Sequence, residues 1–340
     1  MRESGRVFEE RIRDLVSDPR LPQGAFMAGW RWVRHRRRFE TLSTGTRKNL
    51  AVALTFDVED DYRKPGICAA SRKWLPTFID WAGDRKATLY VQGSTVRTLS
   101  DELRTAQAQH ELGLHGLYHE VWGTSKWWQY SLGYSSLPLS EKERRLKESL
   151  LIMEESGLRR PRTFRAPYLN IDEITLRMLF AYGFTSDSSS AAYYGTLPSR
   201  PVSNRILQIP VTSCPVPQVK LRGIAWFSFS QLILPTIAGS SEDGLLKMVR
   251  CAVNVQESLG IPPHVVFLAH PWEFYPSSGL SHTGPNTWEY LERFLDLLGF
   301  EWILTYTTIS DIGQLIQDAF GVGKRASVSG LVGKQGEPNE

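Results

Sequence analysis

The stretch Ala51-Val52-Ala53-Leu54-Thr55-Phe56-Asp57-Val58-Glu59-Asp60-Asp61 sets the architecture: an apolar, β-prone run breaks off on four acids within five positions. A short apolar run of this kind reads as a buried parallel strand, and the residues past its C-terminal end lie where α/β folds carry their chemistry. Carboxylates crowded there need a cation. Candidate partners lie further on, in Glu111-Leu112-Gly113-Leu114-His115-Gly116-Leu117-Tyr118-His119, a second apolar-flanked segment that closes on two histidines spaced i and i+4. Oxygen and imidazole donors together suit a divalent transition metal, zinc above all, with Co²⁺, Ni²⁺ or Mn²⁺ as alternatives. Two histidines and one carboxylate leave a position open, which is the catalytic rather than the structural arrangement.

A strand-helix alternation begins at this run and persists. Strands are expected at residues 50–56, 87–91, 112–114, 163–165, 184–186, 207–211, 264–269 and 301–305, with helices at 72–85, 94–110, 140–156, 172–182, 242–259, 287–298 and 309–319. The helix after Leu139 carries the clearest start signal, with Ser140 as N-cap, Glu143 as its capping-box partner and Gly157 as the stop. Such an alternation predicts an α/β fold, a distorted (β/α) barrel of the TIM type with seven or eight strands, an open doubly wound sheet being the alternative. The barrel makes one demand, that polar residues gather at strand C-termini. Asp57 and Glu59, His115 and His119, Arg165, Asp187 and His270 meet it in turn.

The chain has 340 residues, 41% of them hydrophobic, enough for a packed core. The net charge of +4 is concentrated in Arg31, Arg34, Arg36, Arg37 and Arg38, between Trp30 and Phe39. That run is read as a solvated face of a helical N-terminal extension (1–48), with contact to anionic lipid headgroups as the alternative. No nucleic-acid reader motif is present, so nucleic acid is not expected as a partner. Cys68, Cys214 and Cys251 are odd in number and lack CxxC spacing, which fits a reduced, cytoplasmic setting, as does the charged opening Met1-Arg2-Glu3-Ser4. Residues 223–239 approach a membrane span in length, but Ser228, Ser230, Gln231 and Pro235 interrupt them. The barrel is expected over 49–320, and 321–340, rich in Gly, Ser and Lys, as a disordered tail.

Five segments in order, TFDVED (55–60), HGLYH (115–119), FRAPY (164–168), SDSS (186–189) and LAHPWE (268–273), resemble the motifs of the polysaccharide deacetylases, the NodB-homology carbohydrate esterases. The resemblance covers roughly residues 50–310. It implies that Asp57 is the general base, that His115 and His119 bind the metal, and that Arg165 orients Asp57. It further implies that the backbone N–H of Tyr168 serves an oxyanion site and that His270, oriented by Asp187, is the general acid. Where the family commonly has two adjacent aspartates, Val58 follows Asp57. In the Asp-x-Asp branch of the family, which includes deacylases of lipid-linked sugars and allantoinase-like enzymes, the acidic ligand would be Glu59; Asp60 remains the alternative. The implied activity is removal of an acetyl or formyl group from an amino sugar, carried on a nucleotide or a lipid. The runners-up are hydrolysis of a cyclic amide and a non-catalytic glycan-binding role. Aromatic residues Trp122, Trp127, Trp128, Tyr130 and Tyr134 after His119, and Trp272 after His270, are candidates for the substrate pocket, with packing over the barrel as the alternative for the loop group.

Overall fold

The computed structural model describes residues 47–124, 135–189, 206–221, 224–258, 260–276 and 284–320. The N-terminal arginine run, Trp127, Trp128, Tyr130, Tyr134 and the C-terminal tail lie outside the described residues.

The apolar run that ends on the acids forms β1 (Lys48–Val58), and the alternation continues through α1 (Ala69–Ala82), β2 (Ala87–Val91), α2 (Ser100–Ala106), β3 (Glu111–Leu114), α3 (Leu139–Glu155), β4 (Thr163–Phe164), α4 (Glu173–Ala181), β5 (Ser186–Asp187) and β6 (Leu207–Gln208). An antiparallel hairpin comes next, β7 (Ser213–Leu221) and β8 (Ile224–Gln231), and then α5 (Leu234–Gly239), α6 (Glu242–Ser258), β9 (His264–Ala269), α7 (Thr287–Glu301), β10 (Trp302–Tyr306) and α8 (Ile309–Ala319). Strands β1 to β6 pair in parallel in sequence order, and β9 runs parallel to β1 on its other side. The sheet curls back on itself: Thr212, just past β6, donates its N–H to the Val266 carbonyl of β9, and its hydroxyl accepts from the Val266 N–H. β10 pairs with the first half of β1, up to Val52, and β2 takes over from Leu54. The result is the expected distorted α/β barrel.

The alternation of side chains along β1 sorts its residues into two cores. Leu50, Val52, Leu54, Phe56 and Val58 face the helix layer, where Phe56 meets Trp74, Phe78, Phe267 and Phe274 at ring separations of 4.7 to 6.2 Å. Ala51 and Ala53 face inward with Tyr90, Leu207, Ile209, Val266 and Leu268. Burying one large aromatic side chain is worth about 1.5–3 kcal/mol, so the outer cluster around Phe56 ties β1 firmly to α1, to β9 and to the turn that follows it.

Several local expectations are corrected. Ser140 is not a cap: α3 begins at Leu139 behind Pro138, without a side-chain cap, and Glu143 instead accepts from the Tyr182 hydroxyl at 2.6 Å. The helix expected over 94–110 shortens to the 3₁₀ turn Gly93–Thr95 and α2, because Gln92 and Gly93 are drawn into the loop after β2, where the Gly93 N–H bonds the Gly116 carbonyl. The antiparallel pair of β7 and β8 was not expected, and the stretch read as approaching a membrane span holds β8 and α5 instead. No helix among the described residues is long and apolar enough to cross a membrane.

Candidate metal and acyl-transfer site at the barrel rim

The inward face of β1 continues past its last apolar residue. Thr55, Asp57 and Glu59 succeed Ala51 and Ala53 at period two, so both acids arrive on the same side of the barrel mouth. Val58 belongs to the helix-side core. Asp60 turns the other way: its Oδ2 accepts from the Gly66 N–H at 2.9 Å and from Gln92 Nε2 at 3.1 Å, which anchors the loop after β1. Glu59 is therefore the acid aimed at the histidines. Its Oε2 lies 2.9 Å from His119 Nε2 and 3.3 Å from His115 Nε2.

His115 emerges from the end of β3, where its N–H bonds the Val91 carbonyl. Its Nδ1 lies 2.9 Å from the Arg165 carbonyl, a contact that places the ring proton on Nδ1 and leaves the Nε2 lone pair facing Glu59. Gly116 then turns the chain at φ +73°, where a Cβ would come within 2.7 Å of Trp122 Nε1. His119 itself adopts φ 61°, and Tyr168 and Leu169 are left-handed as well. Three of the four non-glycine residues with positive φ among the described residues thus sit at this rim, a concentration of backbone strain typical of functional sites. The Glu120 carboxylate holds the turn by accepting the N–H groups of Leu117 and Tyr118.

Glu59, His115 and His119 can each offer one ligand atom, all within 4.8 Å of one another. Glu59 Oε2 is buried without a hydrogen-bond partner, while Oε1 accepts from Trp272 Nε1 at 3.2 Å. An orphaned carboxylate oxygen facing an imidazole lone pair is acceptor against acceptor, and a cation between them resolves it. The donor set fits a divalent transition metal.

Asp57 lies beside this cluster, with Oδ2 3.8 Å from His115 Nε2 and 3.9 Å from His270 Nε2. Its Oδ1 accepts from Arg165 Nη1 at 2.8 Å. Arg165 is fully buried and packs 4.2 Å over the Tyr90 ring, and Ser188 accepts from its other nitrogens. Paired in this way, the guanidinium satisfies the charge of Asp57 away from water. The turn Pro167–Leu169 comes next, with the Tyr168 ring edge-on to His119 at 4.6 Å.

His270 stands at the end of β9, with Trp272 stacked on its ring at 4.8 Å and Tyr62 packed beyond Trp272. Burial alone would lower its pKa; the Glu273 carboxylate, with Glu59 and Asp57, raises it to about 9, so the ring holds its proton at neutral pH.

Two expectations change here. The carboxylate on His270 Nδ1 is that of Glu273, at 3.2 Å, rather than that of Asp187. Asp187 is bonded instead to the Ser189 hydroxyl and N–H and to Gln208, with burial raising it to about 6. Because the Ser189 hydroxyl also takes the Ala166 N–H, Asp187 braces the turn that carries Arg165. Trp122, expected in the pocket, is fully buried edge-on to Phe164 at 5.1 Å, because a parallel bridge to Ile171 draws it under the barrel wall. Trp272 does line the site. Glu273 escaped the sequence reading, although an acid three residues after a strand-ending histidine, with proline between them, is a turn-start pattern.

A model of the polysaccharide deacetylase family matches residues 44–186, a span that holds the first three motifs and ends at the fourth. No curated protein matches the chain. Among solved structures, a Mycobacterium smegmatis protein assigned to the polysaccharide deacetylases superposes with a TM-score of 0.53 at 17% identity, over 82% of this chain and 93% of that one. The Puue allantoinase gives a TM-score of 0.50 at 14% identity, over 81% and 92%. A Pseudomonas aeruginosa PAO1 protein assigned to the polysaccharide deacetylases gives 0.50 at 14%, over 79% and 91%. At these identities the likeness is one of fold.

Proposed function

We propose, from the polysaccharide deacetylase signature over residues 44–186, that the chain is a metal-dependent hydrolase that removes an N-acyl group, acetyl or formyl, from an amino sugar. The observation that carries this reading is the convergence of Glu59, His115 and His119 beside an arginine-held Asp57. Glu59 Oε2 and the Nε2 atoms of the two histidines would hold the cation. When bound, it supplies Lewis acidity, which can lower the pKa of water from 15.7 to about 7.

The chain's own residues account for the remaining chemistry. Asp57, fixed through Oδ1 by Arg165, keeps Oδ2 available to accept a proton from the attacking water. The backbone N–H of Tyr168 is the donor for the developing oxyanion, since Pro167 has none to give. His270 Nε2, 3.9 Å from Asp57 Oδ2, donates a proton to the departing nitrogen. Each proton transfer of this kind is typically worth about 10²- to 10⁴-fold in rate. Trp272, stacked on His270 with Tyr62 beyond it, offers an aromatic face to a sugar ring.

The substrate class we favour is a nucleotide- or lipid-linked glycan precursor inside the cell, with the N-terminal arginines at the membrane face. Cyclic-amide hydrolysis is the second reading, supported by the fold shared with the allantoinase. Incubating zinc-loaded protein with N-acetyl and N-formyl amino sugars, free and nucleotide-linked, and with allantoin separates the two. Release of acetate or formate supports the first reading. Turnover of allantoin alone supports the second, and turnover of neither, with metal bound, leaves a binding protein.

A further inference from the structure

His270 closes β9 and enters the 3₁₀ turn Pro271–Phe274. One carboxylate oxygen of Glu273, Oε2, accepts both the backbone N–H of His270 at 2.7 Å and the ring Nδ1 at 3.2 Å. Glu273 is 3% exposed. Its own carbonyl accepts from the Thr287 hydroxyl at 3.0 Å and from the Gly284 N–H at 3.1 Å, so the turn is fastened to the start of α7. Trp272 covers one face of the ring while donating to Glu59. Edge and face of the imidazole are thus both held by residues of one four-residue turn, and Nε2 is left 3.9 Å from Asp57 Oδ2 and 3.8 Å from Glu59 Oε1.

We propose that Glu273 is the positioning residue of His270. It accepts the Nδ1–H, fixes the tautomer and rotation of the ring, and so keeps Nε2 as the atom that gives up the proton. This rests on the reading of His270 as proton donor. In that step the Nε2–H bond breaks and the proton passes to the amine nitrogen as the acyl C–N bond breaks. The ring is left neutral with its remaining proton on Nδ1, still bonded to Glu273. The amine leaves uncharged. Asp187, engaged with Ser189 and Gln208, contributes to this site through the arginine turn and not through His270.

The test is Glu273→Gln. The amide oxygen can still take the place of Oε2, but it is a neutral and weaker acceptor, so the hold on the Nδ1–H loosens and the protonated ring loses its counter-charge. Three quantities are read in the zinc-loaded protein: kcat and KM on the best N-acyl amino sugar, metal content, and the ¹⁵N resonances of the His270 ring, assigned by comparison with His270→Gln. The expected result is kcat lower by about 10- to 100-fold, KM and metal content within twofold of wild type, and displaced His270 resonances. Asp187→Asn should leave those resonances in place. Unmoved resonances in Glu273→Gln, or movement in Asp187→Asn alone, overturn the proposal. Should Glu273→Gln not fold, the wild-type spectrum decides: a hydrogen-bonded, exchange-protected Nδ1–H on His270 supports it, and an unprotonated Nδ1 overturns it. If the resonances move as expected while wild type releases no acyl group from any amino sugar, the positioning role stands and the hydrolase reading fails.

Discussion

Asp57 and Arg165 are the pair on which the site depends most, because both are withdrawn from water and each satisfies the other's charge. Replacing Arg165 with methionine strands the Asp57 carboxylate, and a broken buried pair of this kind costs about 3–5 kcal/mol, measurable as a lowered urea midpoint. Asp57→Asn keeps the shape, and it should lower kcat by about 10²- to 10⁴-fold while bound metal persists, checked by kinetics and elemental analysis on one preparation. A different residue-scale effect governs acid stability. His110 is buried against Phe78 with both ring nitrogens unpartnered, and burial lowers it to about 4; His264 is lowered to about 4 as well, by burial against the opposing pull of the Pro262 carbonyl. Both folded pKa values lie below the ordinary 6.5, so the unfolded chain binds more protons between the two values. Their stabilising contribution is complete above about pH 6.5 and fades as the pH falls toward 4, by up to about 3 kcal/mol per group. The urea midpoint should therefore drop between pH 7 and pH 5, and His110→Leu should flatten that dependence. Only part of this was legible beforehand. Asp57, His115, Arg165 and His270 stood out because they stand at strand ends, and His119 because it follows His115 at i+4, whereas Glu273, though its spacing marks a turn start, becomes the partner of His270 only through the way that turn folds.

At the scale of elements, β1 shows why the acidic ligand could have been read from register. Ala51, Ala53, Thr55 and Asp57 share the inner face, and Glu59 is next in that series while Asp60 is out of phase. The strand-helix alternation and the rim position of the motifs were legible, since β1, β2 and β9 are apolar runs bounded by turn residues. The β7–β8 hairpin was not, because Pro215 and Pro217 within β7 break the pattern that marks a strand. Trp122 was misjudged for a similar reason: its neighbours in sequence are loop residues, but the bridge to Ile171 pulls it inward. Gly113 in β3 exposes another constraint, since a Cβ there would lie 2.6 Å from Tyr90 Cδ1 and 2.9 Å from Thr163 Cγ2. Gly113→Ala must displace the ring on which Arg165 rests, and should destabilise the protein by about 1–3 kcal/mol. Its effect should appear as a lower Tm together with reduced turnover, because β3 also delivers His115.

For the whole molecule, the parallel strands converge on one rim, and the barrel brings together residues more than 200 positions apart in the chain, as in the contact of Trp272 with Glu59. A ligand that binds only the folded state stabilises it by mass action, about 2.7 kcal/mol at a hundred times its Kd. Zinc should accordingly raise Tm in wild type, chelation should reverse the rise, and His115→Ala should abolish it. The most direct measurement is metal content by elemental analysis of protein purified without added metal, comparing wild type with Glu59→Ala, Asp60→Ala and His115→Ala. About one equivalent of zinc or a similar ion is expected in wild type, retained in Asp60→Ala and lost in Glu59→Ala and His115→Ala. Wild-type protein that binds no metal even when zinc is supplied, or loss of metal with Asp60→Ala but not with Glu59→Ala, would contradict a metal centre built on Glu59, His115 and His119.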